Sequence, residues 1–158
     1  MAAHSTSEFS RSAPARIIPT GTVTIPWEIT VDAAQNDTLN LCKVPPGAVI
    51  TDVLFSCSVK VSSLSVDVGT TYTDSADAAQ TVVNSLVDGG DLQNNFVIRP
   101  DVATATAGVP FTVPDSAKSD CTVYATLLGA NPDAAGVYRG TVCYTLQTQE
   151  RFVMASDQ

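Results

Sequence analysis

Residues 120–147, DCTVYATLLGANPDAAGVYRGTVCYTLQ, decide the fold class. In the first run Cys121, Val123, Ala125 and Leu127 fall on one side, and Asp120, Thr122, Tyr124 and Thr126 on the other. In the last run Tyr138, Val142, Tyr144 and Leu146 oppose Arg139, Thr141, Thr145 and Gln147. Alternation with period two, rich in β-branched and aromatic residues, is the signature of strands with one buried face. Between the runs, Asn131-Pro132-Asp133 and Gly136 supply turn chemistry, because proline fixes φ while Gly and Asn tolerate positive φ. The expected unit is a long β-hairpin that closes the domain.

Outward from this stretch, the same alternation recurs. In residues 17–31, IIPTGTVTIPWEITV, Val23, Ile25, Trp27, Ile29 and Val31 alternate with polar residues, and Pro26 interrupts them. Proline cannot donate to a ladder, so this strand belongs at an edge or carries a bulge. Trp27, the sole tryptophan, is expected in the core. Residues 32–38 read as a loop, 39–44 as a short strand, and Pro45-Pro46-Gly47 as a hard turn. In residues 48–60, Val49, Thr51, Val53, Phe55, Cys57 and Val59 form one face of a long strand. Leu64, Val66 and Val68 point inward from the next strand. Asp74 reads as an N-cap for a short helix over 75–84. Asp88-Gly89-Gly90-Asp91 reads as a turn, and residues 95–98 and 108–113 as two more short strands. About eight strands with at most one helix predict an all-β, single antiparallel β-sandwich of the jelly-roll or Greek-key kind. The division expected is a flexible N-terminal arm over 1–16, the sandwich over 17–147 and a C-terminal tail over 148–158.

Composition narrows the function. The chain has 158 residues, which fits one domain. Eight Lys and Arg against 16 Asp and Glu give a net charge of −8. Phosphate binding wants a basic stripe, so nucleic acid is not an expected partner. No apolar run approaches the ~20 residues of a membrane span, and the N-terminal sequence has no apolar stretch of the signal-peptide kind. Neither membrane association nor export is therefore expected. Cys42, Cys57, Cys121 and Cys143 lack C-x-x-C spacing, so zinc is not expected. They read as buried, reduced small hydrophobes, with a disulfide such as Cys57–Cys121 left open.

No motif supplies chemistry. His4 is the only histidine and lies in the arm, where nothing orients it beside a nucleophile. Asp67, Asp74, Asp77, Asp88 and Asp91 cluster in sequence, but without the spacing of a calcium loop. No cofactor, metal or catalytic residue is expected, and the chain reads as a non-enzymatic binding or structural protein.

Three segments carry a resemblance: KVPPGAVITDVLFSCS at 43–58, LSVDVGTTYTDSADA at 64–78, and TVYATLLGANPDAAGVYRGTVCYTL at 122–146. Together they resemble a family of small tailed-bacteriophage virion proteins, several of which decorate and cement the head. The resemblance covers roughly residues 22–147. Its matched residues Pro45, Pro46, Gly47 and Asp67-Val68-Gly69 have turn and strand roles only. It implies a homo-oligomeric capsid decoration protein, guessed to be a trimer. Such a protein assembles in the host cytoplasm and binds the major capsid protein on the outer surface of the head. The arm, through Phe9, Arg11, Arg16, Ile17 and Ile18, is expected to contact the lattice. The alternative is a tail, baseplate or fibre component, or a carbohydrate-binding sandwich with Tyr72 and Tyr124 as its aromatic platform.

Overall fold

The computed structural model describes residues 21–58, 62–92, 97–100, 108–132 and 135–146, with residues 3–5 as backbone alone. These residues form ten strands and no helix. The strands are β1 (Ala3–Ser5), β2 (Thr22–Val31), β3 (Thr38–Val44), β4 (Ala48–Cys57), β5 (Ser65–Thr73), β6 (Ala79–Asp91), β7 (Val97–Ile98), β8 (Phe111–Thr112), β9 (Cys121–Leu128) and β10 (Gly136–Leu146). They make two five-stranded sheets. Sheet A runs β1-β3-β9-β5-β6; sheet B runs β2-β10-β4-β7, with β8 also on β4. Every pairing is antiparallel except β1 on β3. The all-β sandwich expected from the alternation is the architecture found.

The inner faces supply one core. Val123, Ala125 and Leu127 of β9, Val66 and Val68 of β5 and Leu39 of β3 are fully buried from sheet A, as are Val53, Phe55, Tyr138 and Val142 from sheet B. β2 and β10 hide one face and wet the other, as period two requires, while β9, in the middle of sheet A, buries Tyr124 and Thr126 of its outer face as well.

The expected closing hairpin does not exist. β9 lies between β3 and β5 in sheet A, whereas β10 lies between β2 and β4 in sheet B. The chain therefore crosses the sandwich between the end of β9 and the start of β10. The apolar faces of β9 and β10 look toward each other through the core; alternation fixes which face is buried but not which strand takes the hydrogen bonds. The hairpin that does form is β5–β6.

The predicted helix over 75–84 is likewise a strand preceded by a turn. Asp74 does cap backbone amides, since its Oδ1 accepts from Ala76 N at 2.8 Å and Ala78 N at 2.9 Å. The capped loop is the β5–β6 turn, with Asp77 at φ 64°. Thr81, Val82 and Val83 are β-branched and favour the strand that follows. Asp88-Gly89 is not a turn but a bulge inside β6, where Val66 opposes Gly90 and Val68 opposes Val87. Gly89 takes φ 64° there, and its N–H donates to Asp67 Oδ1 at 2.7 Å. A larger excursion follows, four residues (83–86) opposite Gly69 alone. It brings β6 so close that a Cβ on Gly69 would lie 2.6 Å from the Val83 carbonyl carbon.

A bulge also corrects the reading of β4. Cys143 opposes Asp52 while Tyr144 opposes Ile50, so Thr51 is the extra residue and points outward. Ile50 and Val53 are both buried as a result. Pro26 sits on β2, an edge strand as anticipated. Pro45-Pro46-Gly47 makes the turn from sheet A to sheet B, closed by Ala48 N donating to Pro45 O at 3.3 Å. Gly47 has φ 78°, the conformation a type II turn needs at that position. All four cysteines are free, which removes the Cys57–Cys121 disulfide.

Candidate interaction surfaces

The residues expected to contact a lattice, Phe9, Arg11, Arg16, Ile17 and Ile18, lie outside the described residues. Three residues of the same arm do form structure: β1 pairs in parallel along β3, with Ala3 opposite Thr38, His4 opposite Leu39 and Ser5 opposite Asn40. Residues 3–5 therefore lie on the β3 edge of sheet A.

The Asp-rich segment does not converge on one point. Asp67 accepts from the Gly89 amide, Asp74 caps the β5–β6 turn, and Asp77 pairs with Lys118 Nζ at 2.6 Å. Among the described residues no group of three or more His, Cys, Asp or Glu is arranged to hold a metal ion. The carboxylates serve the hairpin. Hydrogen bonds from the Ala78 amide and then from Gln80 and Ala76 hold the Asp74 carboxyl below its ordinary value. Burial and the neighbouring Asp88 push Asp67 up, against the Gly89 hydrogen bond that pulls it down.

Of the two aromatic residues expected to form a sugar platform, one is buried and the other half-buried. Tyr124 is only 8% exposed, and burial followed by the Asp67 charge raises its hydroxyl pKa. Tyr72 is half-buried and packs on the core. The central position of β9 holds Tyr124 in, whereas Tyr72, on β5, lines an open depression with Lys43, Thr71, Ser119 and Asp120.

The outer face of sheet B carries a broad, open depression of about 470 Å³ between Pro26, Glu28, Leu54, Ser56, Arg139 and Thr141. Its polar groups are engaged with one another. Arg139 Nε lies 3.6 Å from Glu28 Oε2 with both side chains about 60% exposed, and Ser56 Oγ donates to the Arg139 carbonyl at 2.9 Å. An exposed pair of this kind contributes little. The depression brings together no nucleophile and base, and no row of backbone donors. Its floor is Gly140, and beneath that lies Trp27, buried against Phe55. Chemically this face offers an open contact area of Pro26, Leu54, Ser56 and Thr141 around the Glu28–Arg139 pair.

Sheet A offers a different feature. The start of β6, residues 79–83, is exposed residue after residue, and Val82 and Val83 are 43% and 48% exposed. The sequence reading placed these residues on a helix and so missed an open strand edge. The signal for it was the β-branched run Thr81-Val82-Val83.

No known family model and no curated protein matches the chain in sequence. Solved structures do match in fold. A chain in the capsid of Ralstonia phage GP4 superposes with a TM-score of 0.66 at 17% identity, covering 92% of this chain and 99% of that one. A chain in the capsid asymmetric unit of cyanophage Pam1 gives 0.60 at 16% identity, covering 87% and 93%. A chain in the acidic stable capsid of Helicobacter pylori bacteriophage KHP30 gives 0.50 at 20% identity, covering 79% and 87%. At such identities the likeness is one of fold: this protein has the β-sandwich seen in chains of three phage capsids.

Proposed function

We propose that this chain is a non-enzymatic structural protein of a tailed-phage virion, bound as a decoration or cement protein to the outside of the head. Its partner is the major capsid protein, and its mechanism is multivalent surface burial that clamps neighbouring capsid subunits. The observation that supports this most is the fold match to phage-capsid chains over nearly the whole length of those chains. Those matches are to small chains of about this size, so the sandwich alone is the comparable unit. The broad, shallow faces are consistent with contact area rather than catalysis. A homotrimer would place several arms on one lattice site, and linked contacts gain avidity without any new interaction.

The arm is the proposed lattice contact, through Phe9, Arg11, Arg16, Ile17 and Ile18. Two arginines offer the acidic chain a cationic point of attachment. Removing residues 1–16 takes away β1 and leaves every core residue named above in place. The truncated protein is expected to unfold at nearly the same temperature and to bind heads about tenfold more weakly or worse. Equal binding by the truncated and whole proteins would overturn the arm assignment. Quantitative mass spectrometry of purified virions tests the wider proposal. A copy number equal to that of the major capsid protein, or a simple fraction of it, is expected. A handful of copies per particle would place the protein at the tail or a vertex, and absence from the virion would discard the structural role.

A further inference from the structure

Asp88 is the only aspartate that a glycine follows, and no asparagine has a glycine after it. The pairing matters chemically, because the amide nitrogen of the next residue can attack an aspartyl side-chain carbon. A following side chain hinders that attack, whereas glycine brings no Cβ and a freely turning backbone. The fold puts this pair where the strand is least tied. Residues 88 and 89 face Asp67 alone, between the Val68–Val87 and Val66–Gly90 pairs, and both are exposed. Gly89 has φ 64°, and a Cβ there would meet nothing within 4 Å. The flanks are tight by contrast. A Cβ on Gly90 would lie 2.6 Å from Ile98 Cγ2 and 3.1 Å from Val87 Cγ1, and Val87 is buried. Rearrangement is therefore confined to the bulge. The restraint on the attacking nitrogen is a side-chain bond, since the Gly89 N–H donates to Asp67 Oδ1 at 2.7 Å.

We propose that Asp88 is a self-modification site, converted to isoaspartate through a succinimide, and that Asp67 is the positioning residue that slows the conversion. The Gly89 nitrogen bonds to Asp88 Cγ. Its hydrogen and the carboxyl hydroxyl leave as water, closing the cyclic imide. Water then opens the ring. Addition at the Asp88 backbone carbonyl carbon breaks that carbon's bond to the Gly89 nitrogen, so the chain now runs through Cγ and is one carbon longer. Addition at Cγ restores aspartate. The net change is an isomerisation, and no oxidant, reductant or second protein enters its balance. To reach Cγ the nitrogen must turn about the Asp88 Cα–C bond, which swings its hydrogen away from Asp67 Oδ1. A hydrogen bond to a charged acceptor is among the stronger ones to give up, so Asp67 acts as the brake. The product lengthens the bulge on β6, the edge strand of sheet A. The reaction needs no capsid; on a particle whose chains are not replaced, the product would accumulate with age.

The test is incubation of the full-length protein below its melting temperature at mildly acidic pH, where the carboxyl hydroxyl leaves most readily. Proteolytic peptides are then separated, and isoaspartate is placed by fragment ions that cleave beside the added backbone carbon. Asp88 is expected to convert ahead of Asp77, which is also exposed but precedes Ala78. Asp67→Ala is expected to raise the Asp88 rate about tenfold, the worth of one hydrogen bond to a charged group. Asp67→Ser, too short to reach the amide, is the second variant and is expected to show the same gain should alanine weaken the fold. Asp67→Asn, which keeps an acceptor for the Gly89 amide, is expected to stay near the parent rate. Conversion of Asp88 no faster than that of Asp77 would overturn the proposal. So would an Asp88 rate that the Ala and Ser variants leave unchanged, or one that Asp67→Asn raises as much as they do.

Discussion

Trp27 reaches Phe55 across a strand that has no side chain between them. The two residues occupy β2 and β4, and both oppose Gly140 of β10. Their ring centroids are 5.2 Å apart at 43°, and Phe55 continues to Tyr138 at 6.3 Å. A Cβ at Gly140 would lie 2.7 Å from the indole Cζ2 and would also collide with the Leu54 carbonyl oxygen. The glycine is thus the condition for the aromatic row that joins three strands of sheet B.

Gly140→Ala is expected to destabilise the protein by about 3 kcal/mol, because the obstacle includes backbone and the core cannot give way cheaply. That corresponds to a fall of roughly 6–12 °C in Tm for a domain of this size. Gly21→Ala, where an added Cβ meets nothing within 4 Å, is the control and is expected to stay within about 0.5 kcal/mol of the parent. Chemical denaturation of the two variants decides the point; equal midpoints would show that sheet B is looser at Gly140 than its packing implies.

Two carboxylates on the β5–β6 hairpin should respond to acid in opposite directions. The Asp74 pKa is lowered from 3.8, first by the Ala78 amide and then by Gln80, whose Nε2 donates to Oδ2 at 2.7 Å. A lowered carboxyl stabilises the fold above its unfolded value, and that contribution is lost as pH falls from 3.8 through the lowered value. Asp67 is raised from 3.8, first by burial. A raised carboxyl contributes its stability below 3.8, and that contribution is lost as pH rises through the raised value. At pH 7, Asp74→Asn is expected to destabilise the turn and speed hydrogen exchange at Ala76 and Ala78. Asp67→Asn keeps an acceptor for the Gly89 amide without the partly buried charge, so it is expected to be neutral or stabilising. Both differences should shrink toward pH 3. Two variants shifting stability in the same direction at pH 7 would contradict this assignment.

What the sequence shows clearly, and what it hides, follows from the range of the forces involved. The buried faces of β9 and β10 are legible because alternation is local: Val123, Ala125 and Leu127 go in together whatever strand lies beside them. Their neighbours are not legible, because β9 pairs with β3 and β5, strands more than fifty positions away in sequence. Thr51 could not be recognised as a bulge from its own surroundings, since only the pairing with Cys143 and Tyr144 creates it. Asp74 looked like a helix cap because it performs the same act, accepting backbone N–H bonds, in a turn. The open edge at 79–83 was hidden by that misreading. The flat faces that support a contact role became visible only once the sheets were assembled.

The thiols offer a final check on the layering. Cys42, Cys57 and Cys121 face the core, while Cys143 is half-buried on the outer side of sheet B, with its Sγ 3.4 Å from Thr24 Oγ1. Burial pushes the Cys42 thiol far above its ordinary 9.0, with Cys121 adding to the effect. Burial also pushes Cys121 up to about 12, against a backbone hydrogen bond from Thr71 that pulls it down. The thiolate is the reactive form, so inward cysteines are doubly protected, by access and by ionisation. One thiol per native chain is therefore expected to react quickly with a disulfide reagent at pH 8. Cys143→Ser is expected to remove that reaction, leaving the other three to react at the rate of unfolding. A second fast thiol in the native protein would mean that a strand carrying an inward cysteine opens without global unfolding. The edge strand β3, held on its outer side by the three residues of β1, would be the first place to look, because Cys42 lies on it.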